Sequence, residues 1–214
     1  MKDSTRIAGY KTVADWKNLR SRLRVNFNDS ELWNEAYDFF EDRLQTRYFK
    51  PIKDIKDNDE CNGEGFSIVA ILCSLVEFLE STYIGEIYRY CADNQLQQYE
   101  YNKSKDMFVS FFENRMPFKT VFTSTNGLAV QFYKNVRCGL LHEASTKGNW
   151  TIRVDNITEF YEFRDGDNVV DRRLFEERIK DYLVFYKSQL LVDKQLQTAF
   201  IRKMNDIAGL NINY

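Results

Sequence analysis

The sequence predicts an all-α protein, a helical bundle with a small β-hairpin or extended flap near residues 150–164. Three observations carry this. Only 9 Gly and 2 Pro occur among 214 residues, so the turns that a sandwich or barrel needs are scarce. Apolar residues recur at helical spacing in segment after segment. One segment, beginning at Phe66, is apolar almost all round, as a central bundle helix is. Apolar residues make up 43% and charged residues 29%, an ordinary globular balance, and the length suffices for a core without disulfide or metal staples. The 17 Phe and 13 Tyr point to an aromatic-rich core.

The elements follow in order. Lys11 to Val25 carries Val13, Trp16, Leu19 and Leu23 with charges between them, a first helix. Asn28, Asp29 and Ser30 offer N-cap chemistry to a second helix from about Glu31, with Leu32, Ala36, Phe39, Phe40 and Leu44 on one side. Pro51 closes that helix, and Lys53 to Gly65, charged and Gly-containing, reads as a loop. The clearest helix runs from Phe66 to about Asp93, and another covers Ser104 to Arg115, interrupted by Pro117. Ser124-Thr125-Asn126-Gly127 is a break, and from Leu128 a helix runs toward Leu141. Residues Trp150 to Val154 and Phe160 to Phe163 alternate like short strands, with turn chemistry at Arg164 to Asp167. A single long helix, Asp171 to about Ala208, ends the chain.

Thirty Lys and Arg stand against 32 Asp and Glu, a net charge of −2, which argues against a general polyanion binder and leaves room for a local basic patch. The polar N-terminus lacks the apolar stretch of a signal peptide. The longest apolar-rich run, Phe66 to Leu79, is short for a membrane span and contains Glu77. The expectation is a cytoplasmic protein without a membrane partner. Cysteines 61, 73, 91 and 138 form no CxxC pair, and a single histidine gives no zinc pattern. They read as reduced thiols, and no metal or other cofactor is expected.

The sharpest chemical signal is that single histidine, His142, in the run from Phe132 to Glu143. Arg137 precedes it by five positions. On a continuous helix the two differ by about 140° and rise by roughly 7.5 Å, so they share no face. They converge if the helix ends near Gly139 to Leu141, or if a second copy of the chain supplies one of them across a two-fold axis. Such a pair suits phosphodiester chemistry on RNA. Arginine matches phosphate oxygens with a permanently charged fork. Histidine exchanges protons near neutral pH, either with the 2′-hydroxyl nucleophile or with the leaving 5′-oxygen. The products would be a 2′,3′-cyclic phosphate and a 5′-hydroxyl, and no metal is required.

Arg137-Cys138-Gly139-Leu140-Leu141-His142 resembles the Arg-x4–6-His motif of HEPN domains. The family's usual form has a polar residue after the arginine, where this chain has Cys138. The resemblance covers about residues 60 to 205. It implies a HEPN-like helical bundle with the motif at the end of a late helix beside a homodimer interface. It also implies metal-independent endoribonuclease activity, in toxin–antitoxin or antiviral defence systems, with a regulatory protein partner. Other members are non-catalytic nucleotide-binding or interaction modules, the alternative reading here. The domain expectation is a helical extension over residues 1–50 packed on the same core as a HEPN-like domain over 51–214. Arg137 and His142 are the candidate catalytic residues, with Asn135, Glu143 and Lys134 in support.

Each of these residues also has a plainer reading. His142 at a helix C-terminus interacts favourably with the helix dipole. Arg137 pairs with an acid such as Glu143 or Glu159, and Glu143 either orients His142 or is an exposed carboxylate. Lys134 either touches a phosphate or is a surface lysine. Glu77 and Glu80 mark a site if buried, but more simply emerge on the solvent side as their helix leaves the core. Tyr133, Trp150 and Tyr161 stack on bases or, by default among so many aromatics, fill the core. Arg20-Ser21-Arg22-Leu23-Arg24 holds nucleic-acid backbone or is a solvated helix face. Cys138 reads as a packed small residue.

Overall fold

The computed structural model describes residues 1–25, 29–58, 63–154 and 157–211. The protein is mostly helical with small β-sheets. Strands β1 (Arg6–Ala8) and β2 (Lys11–Thr12) precede helices α1 (Val13–Arg22) and α2 (Ser30–Leu44). A π-helical turn, Gln45–Phe49, continues α2 into α3 (Lys50–Asp57). Then come α4 (Glu64–Ile84), β3 (Ile87–Tyr88), β4 (Glu100–Tyr101) and α5 (Ser104–Asn114). Next is α6 (Leu128–Phe132), continued by a second π-helical turn, Tyr133–Arg137, into α7 (Cys138–Glu143). Strands β5 (Trp150–Arg153), β6 (Tyr161–Arg164) and β7 (Asp167–Asp171) lead into α8 (Arg172–Leu190) and α9 (Lys194–Ile207).

Four boundaries differ from the sequence reading, each for a local reason. Pro51 does not close a helix, and Lys53–Asp57 is helical rather than loop. The turn before it is widened, with the Lys50 N–H donating to Gln45 five residues back. That leaves the proline ring room where it would otherwise crowd the carbonyl four residues earlier. The α4 helix stops at Ile84 rather than near Asp93, because Gly85 adopts φ +73° and a Cβ there would lie 2.6 Å from the Ala199 Cα. The tail is two helices: Asp193 accepts from the backbone N–H groups of Gln195 and Leu196 and starts α9 afresh. The strands at 150–153 and 161–164 do not form a hairpin together. Instead β7 lies between them, parallel to β5 and antiparallel to β6. The β6–β7 turn places Asp165 and Gly166 both at positive φ, the hairpin turn that suits strand twist. Asn28 and Cys61 lie outside the described residues.

The chain divides into two compact units. The first comprises Met1–Pro51, Ser81–Asn102 and Tyr186–Tyr214. Its core gathers Trp16, Trp33, Phe39 and Phe40 around Phe200, with ring centroids of Phe40 and Phe200 5.7 Å apart. The indole N–H of Trp16 donates to Asn205 and that of Trp33 to the Arg24 carbonyl, both at 3.0 Å, so neither buried indole leaves its donor unsatisfied. Thr12 and Asp15 form a reciprocal capping box at the start of α1.

The second unit comprises Ile52–Glu80 and Lys103–Phe185. A large part of its core is aromatic. Phe112 meets Phe108, Phe118, Phe122 and Phe132 at centroid distances of 4.8–5.2 Å, and Phe132 stacks on Trp150. Edge-to-face and offset pairs of this kind add to plain area burial. The apolar face of α4 (Ile68, Val69, Leu72, Leu75, Val76, Leu79) is buried, as expected of a central helix. Among the described residues α4 alone is long and apolar enough to cross a membrane by length and composition, and 56% of its most apolar window is buried inside the protein.

Candidate active site

Arg137 and His142 sit on the helical run from Leu128 to Glu143. Asn126 starts it, its side-chain oxygen accepting from the Leu128 N–H at 3.1 Å, and Gly127 enters it at φ +63°. Ala129, Phe132, Val136 and Leu140 turn into the core, while Lys134, Leu141, His142 and Glu143 are exposed. The widened turn at Tyr133–Arg137 closes with the Cys138 N–H donating to Tyr133, five residues back. It places an extra residue immediately before the motif, and π-turns of this kind recur at functional sites. The Asn135 carbonyl in this turn accepts from the Lys147 N–H at 2.8 Å.

The helix does not end near Gly139. It continues through Glu143 and stops at Ala144, which takes φ +51°. Gly139 serves a different purpose: the loop that follows the helix folds back over it. A Cβ at 139 would lie 2.5 Å from the Ser145 carbonyl oxygen, so only glycine fits that approach. The unbroken helix closes one of the two routes by which Arg137 and His142 could meet. Within one chain they stay about 140° apart around the axis. Convergence now depends on a second copy.

Arg137 is half-buried and held on two sides. Its Nη2 lies 3.9 Å from Glu77 Oε2 on α4, with both side chains about one-fifth exposed (21% and 20%). Its guanidinium also sits 5.2 Å from the centre of the Tyr133 ring, one helical turn earlier. Tyr133 in turn meets Phe108 edge to face at 5.4 Å. Burial raises the Tyr133 hydroxyl above its ordinary range in spite of the nearby Arg137 charge. Cys73 lies in the same neighbourhood, and burial pushes its thiol up, which leaves it a poor nucleophile. Cys138 is half-buried beside Tyr133.

The other expected site residues are arranged around this centre rather than in it. His142 is exposed on the last turn. Glu143 pairs with Lys147 at 2.9 Å, and that hydrogen bond, aided by the nearby His142, holds its carboxyl below the usual range. It therefore does not orient His142 through a direct bond. Lys134 is exposed, and Asn135 is half-buried with its carbonyl engaged as above. Glu159 pairs with Arg178 rather than with Arg137. Of the three aromatics considered for base stacking, only Tyr133 adjoins the motif. Trp150 is core, and the Tyr161 hydroxyl donates to Asn168 at 2.8 Å.

Glu80 does not emerge on the solvent side of α4. It is fully buried, accepts from Ser110 at 2.6 Å and receives two parallel bonds from Arg115 at 2.8 and 2.9 Å. Glu77, one turn earlier, is the carboxylate that faces the motif arginine. Its signal in the sequence was its isolation in an apolar run. Tyr133 had a signal too, lying four residues before Arg137 and so on the same helix face.

Among the described residues no group of three His, Cys, Asp or Glu side chains is placed to hold a metal ion. Comparison with protein-family models, with curated proteins and with solved structures returns no match.

Proposed function

We propose that this chain is a HEPN-like, metal-independent endoribonuclease acting as a homodimer, with Arg137 and His142 meeting only across two copies. The supporting observation is the placement of Arg137: half-buried beside a widened helical turn, steadied by Tyr133 and Glu77, five residues before an exposed histidine on the same helix. Arg137 would bind a non-bridging phosphate oxygen and stabilise the charge that builds there. His142 of a second copy would take the 2′-hydroxyl proton, or deliver one to the leaving 5′-oxygen. The new O–P bond forms as the 5′ P–O bond breaks, leaving a 2′,3′-cyclic phosphate and a 5′-hydroxyl. Leu141, 56% exposed and four residues after Arg137 on the same face, gives that surface an apolar contact for a partner copy. A cytoplasmic location, a defence role and a restraining protein partner belong to this reading through the family resemblance.

The test is cleavage of a labelled RNA in EDTA by the parent, by Arg137→Ala, by His142→Ala and by the two variants mixed after dissociation and reassociation. Each variant alone is expected to be inactive. The random mixture should recover about a quarter of the parent rate, because half the dimers carry one complete site of two. Parent activity with no recovery in the mixture would place both residues in a site built by one chain, against the proposal.

A second reading, a non-catalytic interaction module, is favoured by the same contact seen differently: Arg137 already has a carboxylate neighbour and a ring. An inactive parent that still dimerises would support that reading.

A further inference from the structure

The three-stranded sheet of the second unit has an open edge. β7 lies in its middle, and among the described residues no strand lies beyond β6 on the other side. The register sets Glu162 opposite Val169 and Arg164 opposite Asp167. Next in that register, the Asp171 N–H donates to the Phe160 carbonyl at 2.9 Å. Backbone groups alternate along an antiparallel pair, so Phe160, Glu162 and Arg164 direct theirs to β7, while Tyr161 and Phe163 direct theirs away from it. An edge of this kind is a template for a further strand.

The side chains along β6 alternate between the two faces. Tyr161 turns to the core, its ring centre 5.6 Å from that of Phe122. Phe163 shares that face but reaches past the core and is 63% exposed. Glu162 and Arg164 lie on the opposite face, both exposed. Charged residues on an edge strand usually keep other strands away. Here one acid and one base flank an exposed aromatic ring, and that order is complementary to itself when the strand is turned end for end.

We propose that β6 pairs antiparallel with β6 of a second copy of the chain, across a two-fold axis at Phe163, so that two three-stranded sheets become one. Each Phe163 exchanges both backbone hydrogen bonds with Phe163 of the second copy, and the two rings lie side by side on the core-facing side. Glu162 then stands opposite Arg164 of the second copy, twice by symmetry. That pair falls at the non-hydrogen-bonded position, where side chains come closest. A slip of two residues one way sets Glu162 against Glu162, and the other way Arg164 against Arg164. The charges therefore select one register and one occupant, a second copy. Arg164 also meets Asp165 of its own chain at 3.6 Å, so the second copy adds a carboxylate to an arginine already paired. The motif calls for a second copy through other residues. The contact proposed here rests on β6 alone and stands if the ribonuclease reading fails.

The experiment is analytical ultracentrifugation of the full chain, of Glu162→Arg and of Arg164→Glu over a concentration series, with one variant fluorescently labelled in the mixtures. The parent is expected to self-associate. Each variant places like charges opposite each other in both pairs and should self-associate about tenfold or more weakly. Mixing the two variants restores opposite charges at both positions, and their cross-association should return to within about threefold of the parent's. An interface elsewhere, the motif included, produces no such preference for cross- over self-association. Both positions are exposed, and circular dichroism checks that the fold is kept. Phe163→Pro removes the outward N–H, which the pairing with β7 does not use, and should weaken the parent's association by about tenfold or more. A parent that stays monomeric at millimolar concentration would overturn the proposal, as would equal self- and cross-association of the charge variants. Unchanged association of Phe163→Pro would exclude backbone pairing at this edge and overturn it as well.

Discussion

Glu77 and Glu80 lie three residues apart on α4, and each meets an arginine in different surroundings. Glu80 is sealed: no part of it reaches solvent, and Arg115 and Ser110 together bring it three hydrogen bonds. Glu77 is one-fifth exposed and approaches Arg137 at 3.9 Å, beyond hydrogen-bond length. The first pair is a saturated structural joint. The second steadies a guanidinium without consuming its donors, which is what a phosphate-binding arginine needs. Burial and bond count, rather than residue type, separate the saturated pair from the loose one.

The largest expected effect falls on the sealed pair. Glu80→Ala leaves Arg115 largely buried without its carboxylate, at a cost of about 3–5 kcal/mol. Chemical denaturation should show it as a lowered midpoint, and any RNA cleavage should track the fraction folded. A stability loss under about 1 kcal/mol would mean that water reaches this pair and that the contrast with Glu77 is false.

Arg137→Ala should behave the opposite way. Removing a single donor of transition-state charge costs about 10²–10³-fold in rate, while the loss of a loose, partly exposed ion pair costs under about 1 kcal/mol of stability. Single-turnover cleavage beside thermal unfolding separates the two. A variant that unfolds early and cleaves in proportion to its folded fraction would place Arg137 with Arg115, as a structural residue.

What the sequence made legible divides along similar lines. Helices with a plain apolar stripe, such as Val13–Arg22 and Ser104–Asn114, stand close to where periodicity puts them. The misses occur where one local contact overrides a pattern. Pro51 continues a helix because the turn before it is widened, and Gly85 ends one that still reads as amphipathic beyond it. Val169 and Val170, between the expected turn at Arg164 to Asp167 and the expected tail helix, form the buried middle strand that joins β5 to β6. At the candidate site, residue types and spacing named Arg137 and His142. No sequence pattern could show that Gly139 makes room for a returning loop rather than ending the helix. Glu80 was misread for a related reason: its partner Arg115 is 35 positions away, and long-range pairing leaves no periodic trace.

A middle-sized effect should come from the ring beneath the arginine. Tyr133→Leu keeps an apolar contact toward Phe108 and removes the cation–π attraction, about 0.5–1 kcal/mol at a partly exposed site. If Tyr133 positions Arg137, cleavage should fall by about two- to fivefold with little change in unfolding temperature. Restoration by Tyr133→Phe, which returns the ring without the hydroxyl, would assign the effect to the ring face. Failure of that variant to restore the rate would assign it to the hydroxyl instead.

The smallest effect tests the contrast most finely. Glu77→Gln keeps the shape of the side chain and removes its charge. At 3.9 Å, with one-fifth of each side chain in water, the lost attraction should be worth under about 1 kcal/mol. Stability should barely move. The rate should stay within about threefold of the parent, because a phosphate arriving at Arg137 has only this weak attraction to compete with. The direction is informative. A small gain would mean that Glu77 repels the incoming phosphate and acts as a brake on the site. A small loss would mean that it holds the guanidinium in place. A loss as deep as that of Arg137→Ala would show that the two act as one unit, and Glu77 would then be a positioning residue, as tightly coupled to its arginine as Glu80 is to Arg115.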